Sequence, residues 1–271
     1  MESLSLPFTE NLPGLELSYL VSIIGAIALS SIRIGSFFIA SPLFGYKIIP
    51  VQVRIVVSFA ASFLIFDKIP IPDIESIAGF KLITILFVEL LIGVSCGLIL
   101  TILFASSSLA GEKIAASTGL SFAGLIDPES GAQTPVLSQI LSLFMIVIFL
   151  TLNGHLLIIS LLLESYKLFP IGLASINLNI IQLGIDAGGL MFKFAALIML
   201  PVVIGITLLN VLIGVVTRSA PTLNLFSFGF PISMLLTFTL LYLSAKVFAN
   251  NFGIITEKSI DLIERLIGGL L

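Results

Sequence analysis

The chain has 271 residues, of which 58% are hydrophobic and 10% charged, and its net charge is −3. Mean hydropathy is +1.23, and a soluble domain carries about 25% charged residues, so a water-facing globular surface and most soluble enzyme classes are excluded. The sparse charge, with no basic run, argues against a nucleic-acid partner, and one cysteine with one histidine leaves no internal disulfide and no Cys/His metal cluster.

The N-terminal segment carries Glu2, Glu10 and Glu16 where a signal peptide would carry Lys or Arg, and the apolar run behind it is too long for one. That run, 15–40, is the first of six apolar stretches, the others being 48–66, 81–105, 136–163, 189–216 and 230–249. A bilayer crossing needs about 20 such residues. The first stretch contains Arg33. The third contains Glu89 and then Gly93 and Gly97, a spacing that admits close helix contact. Residues 106–135 read as a long loop of small residues, too apolar for a solvated linker and too irregular for a crossing. The fourth stretch is interrupted at Asn153-Gly154-His155, and the fifth holds Lys193, Pro201, Gly205 and Asn210, so kinks are expected there. Residues 217–231 form a short connection punctuated by Pro and Gly. From Thr256 to Leu271, Ile260, Ile263, Leu266 and Ile267 alternate with Glu257, Lys258, Asp261, Glu264 and Arg265 at helical spacing, which predicts a short amphipathic helix.

Six crossings place both ends on one side, and the distribution of Lys and Arg leans towards a cytoplasmic side for them. There is no Trp, and only 4 Tyr stand against 22 Phe. Such a thin interfacial belt points to apolar surface that meets protein as well as lipid.

Candidate chemistry is sparse. Ser121, Asp127 and His155 can be ordered on paper as a hydrolytic triad, but the string from Gly119 to Ala123 lacks the final glycine of a nucleophile elbow. His155 is expected instead to hydrogen-bond within a helix break. Arg33, Glu89, Glu164 and Lys193 are ionisable groups in or near apolar stretches, where such groups face a bundle interior and take a partner. A proton relay and a structural ion pair both remain open, as does the choice of which acid meets which base. No phosphate-binding motif is present.

Specific strings narrow the reading. Ala110-Gly111-Glu112, Gly119-Leu120-Ser121-Phe122-Ala123 and Asp127-Pro128 form a first block, and Phe149 to His155 with Pro170-Ile171-Gly172 a second. Leu200-Pro201, Asn210, Gly214, Arg218, Ala220-Pro221, Asn224, Phe226 and Gly229-Phe230-Pro231 form a third. In this order, over 110–231, they resemble the FliR family of flagellar type III export gate components. The resemblance implies an all-α fold of kinked hydrophobic hairpins in a helical hetero-oligomer, raised largely out of the bilayer. It implies a FliP-like part over about 1–188 and a FliQ-like hairpin with an amphipathic tail over about 189–271. The implied function is non-enzymatic and without cofactor. The implied partners are FliP and FliQ in the gate, FlhB and FlhA in the export apparatus, and unfolded substrates in transit, at the bacterial inner membrane in the flagellar basal body.

The resemblance also implies a pore plug at 118–134, with Gly119, Leu120, Phe122, Gly124, Leu125 and Ile126 as its residues. Interface or structural roles fall to Glu112, Asp127, Pro128, Asn153, Gly154, His155, Pro201, Arg218, Pro221 and Asn224. Leu125 stands where family members often carry a second aromatic, and Thr118 where family gates carry methionine. An apolar constriction seals by dewetting, without a tight steric fit. A virulence-type secretion gate would use the same physics. An ion-coupled secondary transporter would show repeated halves, and no internal repeat is visible.

Overall fold

The computed structural model describes residues 17–45, 49–66, 79–119, 135–172, 179–219 and 229–268. All regular structure among them is helical: α1 (Leu17–Ala40), α2 (Val51–Ile65), α3 (Phe80–Thr118), α4 (Val136–Thr151), α5 (Gly154–Leu168), α6 (Asn179–Ser219) and α7 (Phe230–Gly268). Pro50 and Pro135 directly precede α2 and α4, where a missing N–H costs nothing because first-turn donors have no helical acceptor. Their carbonyls accept the first bonds of the new helices, from Val53 at 3.0 Å and Ser138 at 2.9 Å. Serines inside the apolar helices turn their hydroxyls onto the helix itself. Ser31 bonds the Ala28 carbonyl at 2.7 Å and Ser107 that of Phe104 at 2.7 Å, so neither hydroxyl is left unmade in an apolar setting.

Three helices are longer than the sequence suggests. With 39, 41 and 39 residues, α3, α6 and α7 are each about 60 Å long, about twice the hydrocarbon thickness of a bilayer. Residues 106–118, expected in a loop, are the last turns of α3. Their small size serves burial rather than flexibility: Ser106, Ser107, Ala110 and Ala115 are all fully buried. The C-terminal amphipathic segment is the end of α7 and not a separate helix: the ladder runs through Asn250, Asn251 and Gly253 without a break. Pro201 lies inside α6, which runs on past it with one buried face of Phe194, Ala195, Ile198, Val202 and Ile206 on both sides of the proline. The fourth stretch does break, into α4 and α5 bent by 66°. The second stretch gives α2, 15 residues and about 22 Å long, short of a crossing. Among the described residues, four helices therefore have crossing length, or five with the bent pair taken as one.

The chain divides into two compact units, Met1–Gly97 with Leu161–Asn177 and Ile267–Leu271, and Leu98–Ser160 with Leu178–Leu266. In the first, Ala26, Phe37, Ile92, Cys96 and Tyr166 are at most 2% exposed. In the second, Leu103, Ile114, Met145, Phe149, Ile198 and Phe252 form the equivalent core.

Candidate functional site

The most fully built polar site lies in the first unit. Arg33 of α1 donates through Nε to Glu89 Oε2 at 2.7 Å and through Nη2 to Glu89 Oε1 at 3.0 Å. Nη1 reaches Ser165 Oγ at 2.9 Å, and Nη2 also reaches the Phe169 carbonyl at 3.1 Å. The guanidinium lies 4.2 Å from the centre of the Tyr166 ring, and the Tyr166 hydroxyl donates to the Ser30 carbonyl at 2.7 Å. The Arg33 and Glu89 side chains are 0% and 1% exposed. A buried pair survives desolvation only when its geometry is good and its remaining donors are filled, and an arginine fork is the side chain able to do both. Helices α1, α3 and α5 are thus tied at one point.

Glycine makes room for that tie. A Cβ on Gly93, one turn beyond Glu89, would overlap Ser36 Oγ and the Arg33 carbonyl oxygen. One on Gly97 would stand 2.6 Å from Ala40 Cβ. The close contact expected at these two positions is therefore present. Of the four ionisable groups singled out in the sequence, Arg33 and Glu89 meet, whereas Glu164 and Lys193 are exposed. Ser165 and Tyr166 complete the site and were not among the sequence candidates. Their signal was periodicity: Leu162, Ser165, Tyr166 and Phe169 are all buried at helical spacing.

A second site, in the second unit, joins α3 to the start of α4. Ser138 Oγ donates to the Ser108 carbonyl at 3.0 Å and lies 2.8 Å from Ser108 Oγ. A Cβ on Gly111 would overlap Ser138 Cα, so the backbones of α3 and α4 touch here. Glu112 lies half-buried beside this crossing, 3.5 Å from Ser108 Oγ. Helix α3 ends at Gly119, whose φ of +80° is left-handed backbone that glycine adopts without strain. Of the expected plug residues Gly119 alone is described. Leu120, Phe122, Gly124, Leu125 and Ile126 lie outside the described residues, as do Ser121, Asp127, Pro128, Pro221 and Asn224.

The third feature is the bend. Asn153 has φ +55°, and its carbonyl accepts the first bonds of α5 from Leu156 at 3.0 Å and Leu157 at 3.2 Å. Gly154 is required because a Cβ there would stand 2.5 Å from the Phe149 ring, which itself packs edge-on against Phe104 at 5.1 Å. His155 corrects an expectation: its Nδ1 is buried with no hydrogen-bond partner among the described residues. Pro201 is exposed on α6, and Arg218 is exposed in its last turn, where a cation complements the helix dipole. Among the described residues no group of three His, Cys, Asp or Glu could hold a metal ion.

Comparison with known proteins adds to this geometry. Residues 24–259 match the family of bacterial export proteins, family 1. The chain is 32% identical over 203 residues to the flagellar biosynthetic protein FliR of Escherichia coli (strain K12), covering 75% of this chain and 77% of that one. It is 29% identical over 255 residues to FliR of Bacillus subtilis (strain 168), covering 90% and 96%. With FliR of Aquifex aeolicus (strain VF5) the identity is 33% over 218 residues, covering 80% and 84%.

Proposed function

The chain belongs to the bacterial export proteins, family 1, as a multi-pass membrane protein of the flagellar FliR group, and from that premise we propose that it is a non-enzymatic gate subunit. In this reading it joins FliP and FliQ at the bacterial inner membrane, in the flagellar basal body, to form the protein-conducting pore. FlhB and FlhA are its further partners in the apparatus. Residues up to about 188 act as the FliP-like part and those from 189 as the FliQ-like hairpin. Residues 118–134 seal the pore at rest through Leu120, Phe122, Leu125 and Ile126, an apolar surface that excludes water. An unfolded substrate displaces that surface, and the energy for transport comes from elsewhere.

One arrangement carries the sealing role. The chain leaves α3 after Gly119 and re-enters at α4 within two residues of Ser138, which touches α3 at Ser108 and Gly111. The segment therefore ends beside this crossing and begins about two turns of α3 beyond it, so both of its anchors are helices held by the same contact. Replacing Phe122 and Leu125 with Ser wets the constriction. Cells co-expressing the partner subunits then take up small dyes, while the complex purifies in normal yield. A variant complex that assembles normally and stays dye-tight would place the seal elsewhere, and lost assembly would make the segment a packing element.

A further inference from the structure

Asn210 lies in the apolar second half of α6, with Leu208 62% and Val211 60% exposed beside it. Asn210 is itself exposed on the chain, and where lipid or a partner covers that face its carboxamide is costly unless it is bonded. Its Nδ2 donates to the Ser117 carbonyl at 3.3 Å, across 93 residues of sequence. Ser117 belongs to the last turn of α3, where carbonyls have run out of helical donors.

The neighbouring carbonyls of this turn take donors from α3 itself. The Ile114 and Ala115 carbonyls take the Thr118 hydroxyl at 3.2 and 2.9 Å. The Ala116 carbonyl takes the Gly119 N–H at 3.3 Å. Those caps come from the helix's own end. The cap on Ser117 comes from α6, so it fixes the end of α3 against a second helix as well as closing it. Beyond it the chain turns out through Gly119 at φ +80°. Thr207, one turn earlier on α6, makes no such link, because its hydroxyl bonds its own helix at the Val203 carbonyl, 2.7 Å away.

We propose that Asn210 is a positioning residue: by capping Ser117 it fixes the exit of α3 at Gly119 against α6, and with it the root of the sealing segment. The effect on sealing rests on the function proposed above; the cap itself does not.

The test uses the full chain co-expressed with its partner gate subunits. Asn210→Asp keeps the shape and removes the donor, Asn210→Leu removes all polarity, Asn210→Gln keeps the carboxamide, and Thr207→Val is the control on the same helix. Hydrogen exchange across 116–119 in the purified complex is expected to quicken about fivefold in the Asp and Leu variants, the equivalent of one lost hydrogen bond. It should stay near wild type in the Gln and Thr207→Val variants. Dye entry should rise several-fold in the same two variants and in no other. Unchanged exchange in both donor-less variants would overturn the proposal. So would loss of the complex in all three Asn210 variants, which would make Asn210 a scaffold residue. Faster exchange in cells that stay tight, while a complex lacking 118–134 leaks, would also overturn it. If the complex lacking 118–134 is itself tight, the sealing reading fails, and the exchange result alone then decides the cap.

Discussion

Arg33 and Lys193 are both cations inside long apolar helices, and the chain treats them in opposite ways. Arg33 is fully buried, with a carboxylate, a hydroxyl, a carbonyl and a ring around it, whereas Lys193 is exposed. The glycines divide in the same way. Gly93, Gly97 and Gly111 are pressed against neighbouring backbone, while Gly184, Gly188, Gly189 and Gly214 have nothing among the described residues within 4 Å of a would-be Cβ. Half of the apolar windows of α1 and α3 is buried within the chain, against 17% in α6 and 22% in α7. The first pair of helices is half covered by its own chain; the second pair is mostly left open. Hydropathy alone does not separate them, since both read as crossing-length apolar helices. A charge left in lipid costs about 2.5–3.5 kcal/mol on insertion scales, which favours protein as the cover for the face that bears Lys193.

The comparison breaks most visibly at the charges. Glu89→Ala leaves Arg33 buried and unpaired, with an expected loss of about 3–5 kcal/mol, seen as lost protease resistance and lost complex. Lys193→Ala should change the stability of the chain by less than about 0.5 kcal/mol. Replacing the pair together, as Arg33→Met with Glu89→Leu, should recover much of the loss. A double variant as damaged as Glu89→Ala alone would show that the network does more than tie helices.

The glycines sharpen the contrast. Gly111→Val forces α3 and α4 apart and should cost about 1–3 kcal/mol or more, read as a fall in the melting temperature of the complex. Gly184→Ala and Gly188→Ala meet no neighbouring atom among the described residues and gain up to about 1 kcal/mol of helix propensity each. They should leave the chain as stable or more so, yet lower recovery of the complex where a partner helix packs on that face. Within the buried network the smallest loss is expected of Tyr166→Phe, which keeps the ring over Arg33 and loses the 2.7 Å bond to the Ser30 carbonyl. A loss of about 1 kcal/mol should appear as a modest drop in melting temperature.

Much of this was legible in the sequence, and the rest failed for physical reasons. Arg33 and Glu89 announce themselves because charges are rare in apolar stretches. Their pairing does not, because it depends on helix azimuth: Glu164 is adjacent to Ser165, which touches Arg33, but about 100° further round the helix, and it faces out. The break at Asn153-Gly154 was visible because a left-handed residue and a missing Cβ are what a sharp bend requires. Residues 106–118 misled because Ser, Gly and Ala suit a loop and a close helix crossing equally, and only the position of Ser138 against Gly111 decides between them. The α7 tail misled because amphipathic spacing marks a face but not the point where a helix begins.

The division between a closed and an open region can be measured directly. Cys96, the chain's one cysteine, is fully buried, so a new cysteine reports alone. Leu208→Cys and Phe238→Cys place thiols on the open faces of α6 and α7, where the native side chains are 62% and 60% exposed. Maleimide labelling in membranes is then compared between the chain expressed alone and the chain co-expressed with its proposed partners FliP and FliQ. Labelling at both positions is expected to slow by an order of magnitude or more when the partners are present. Equal rates with and without partners, in cells where the complex forms, would contradict the view that these faces are finished by other subunits.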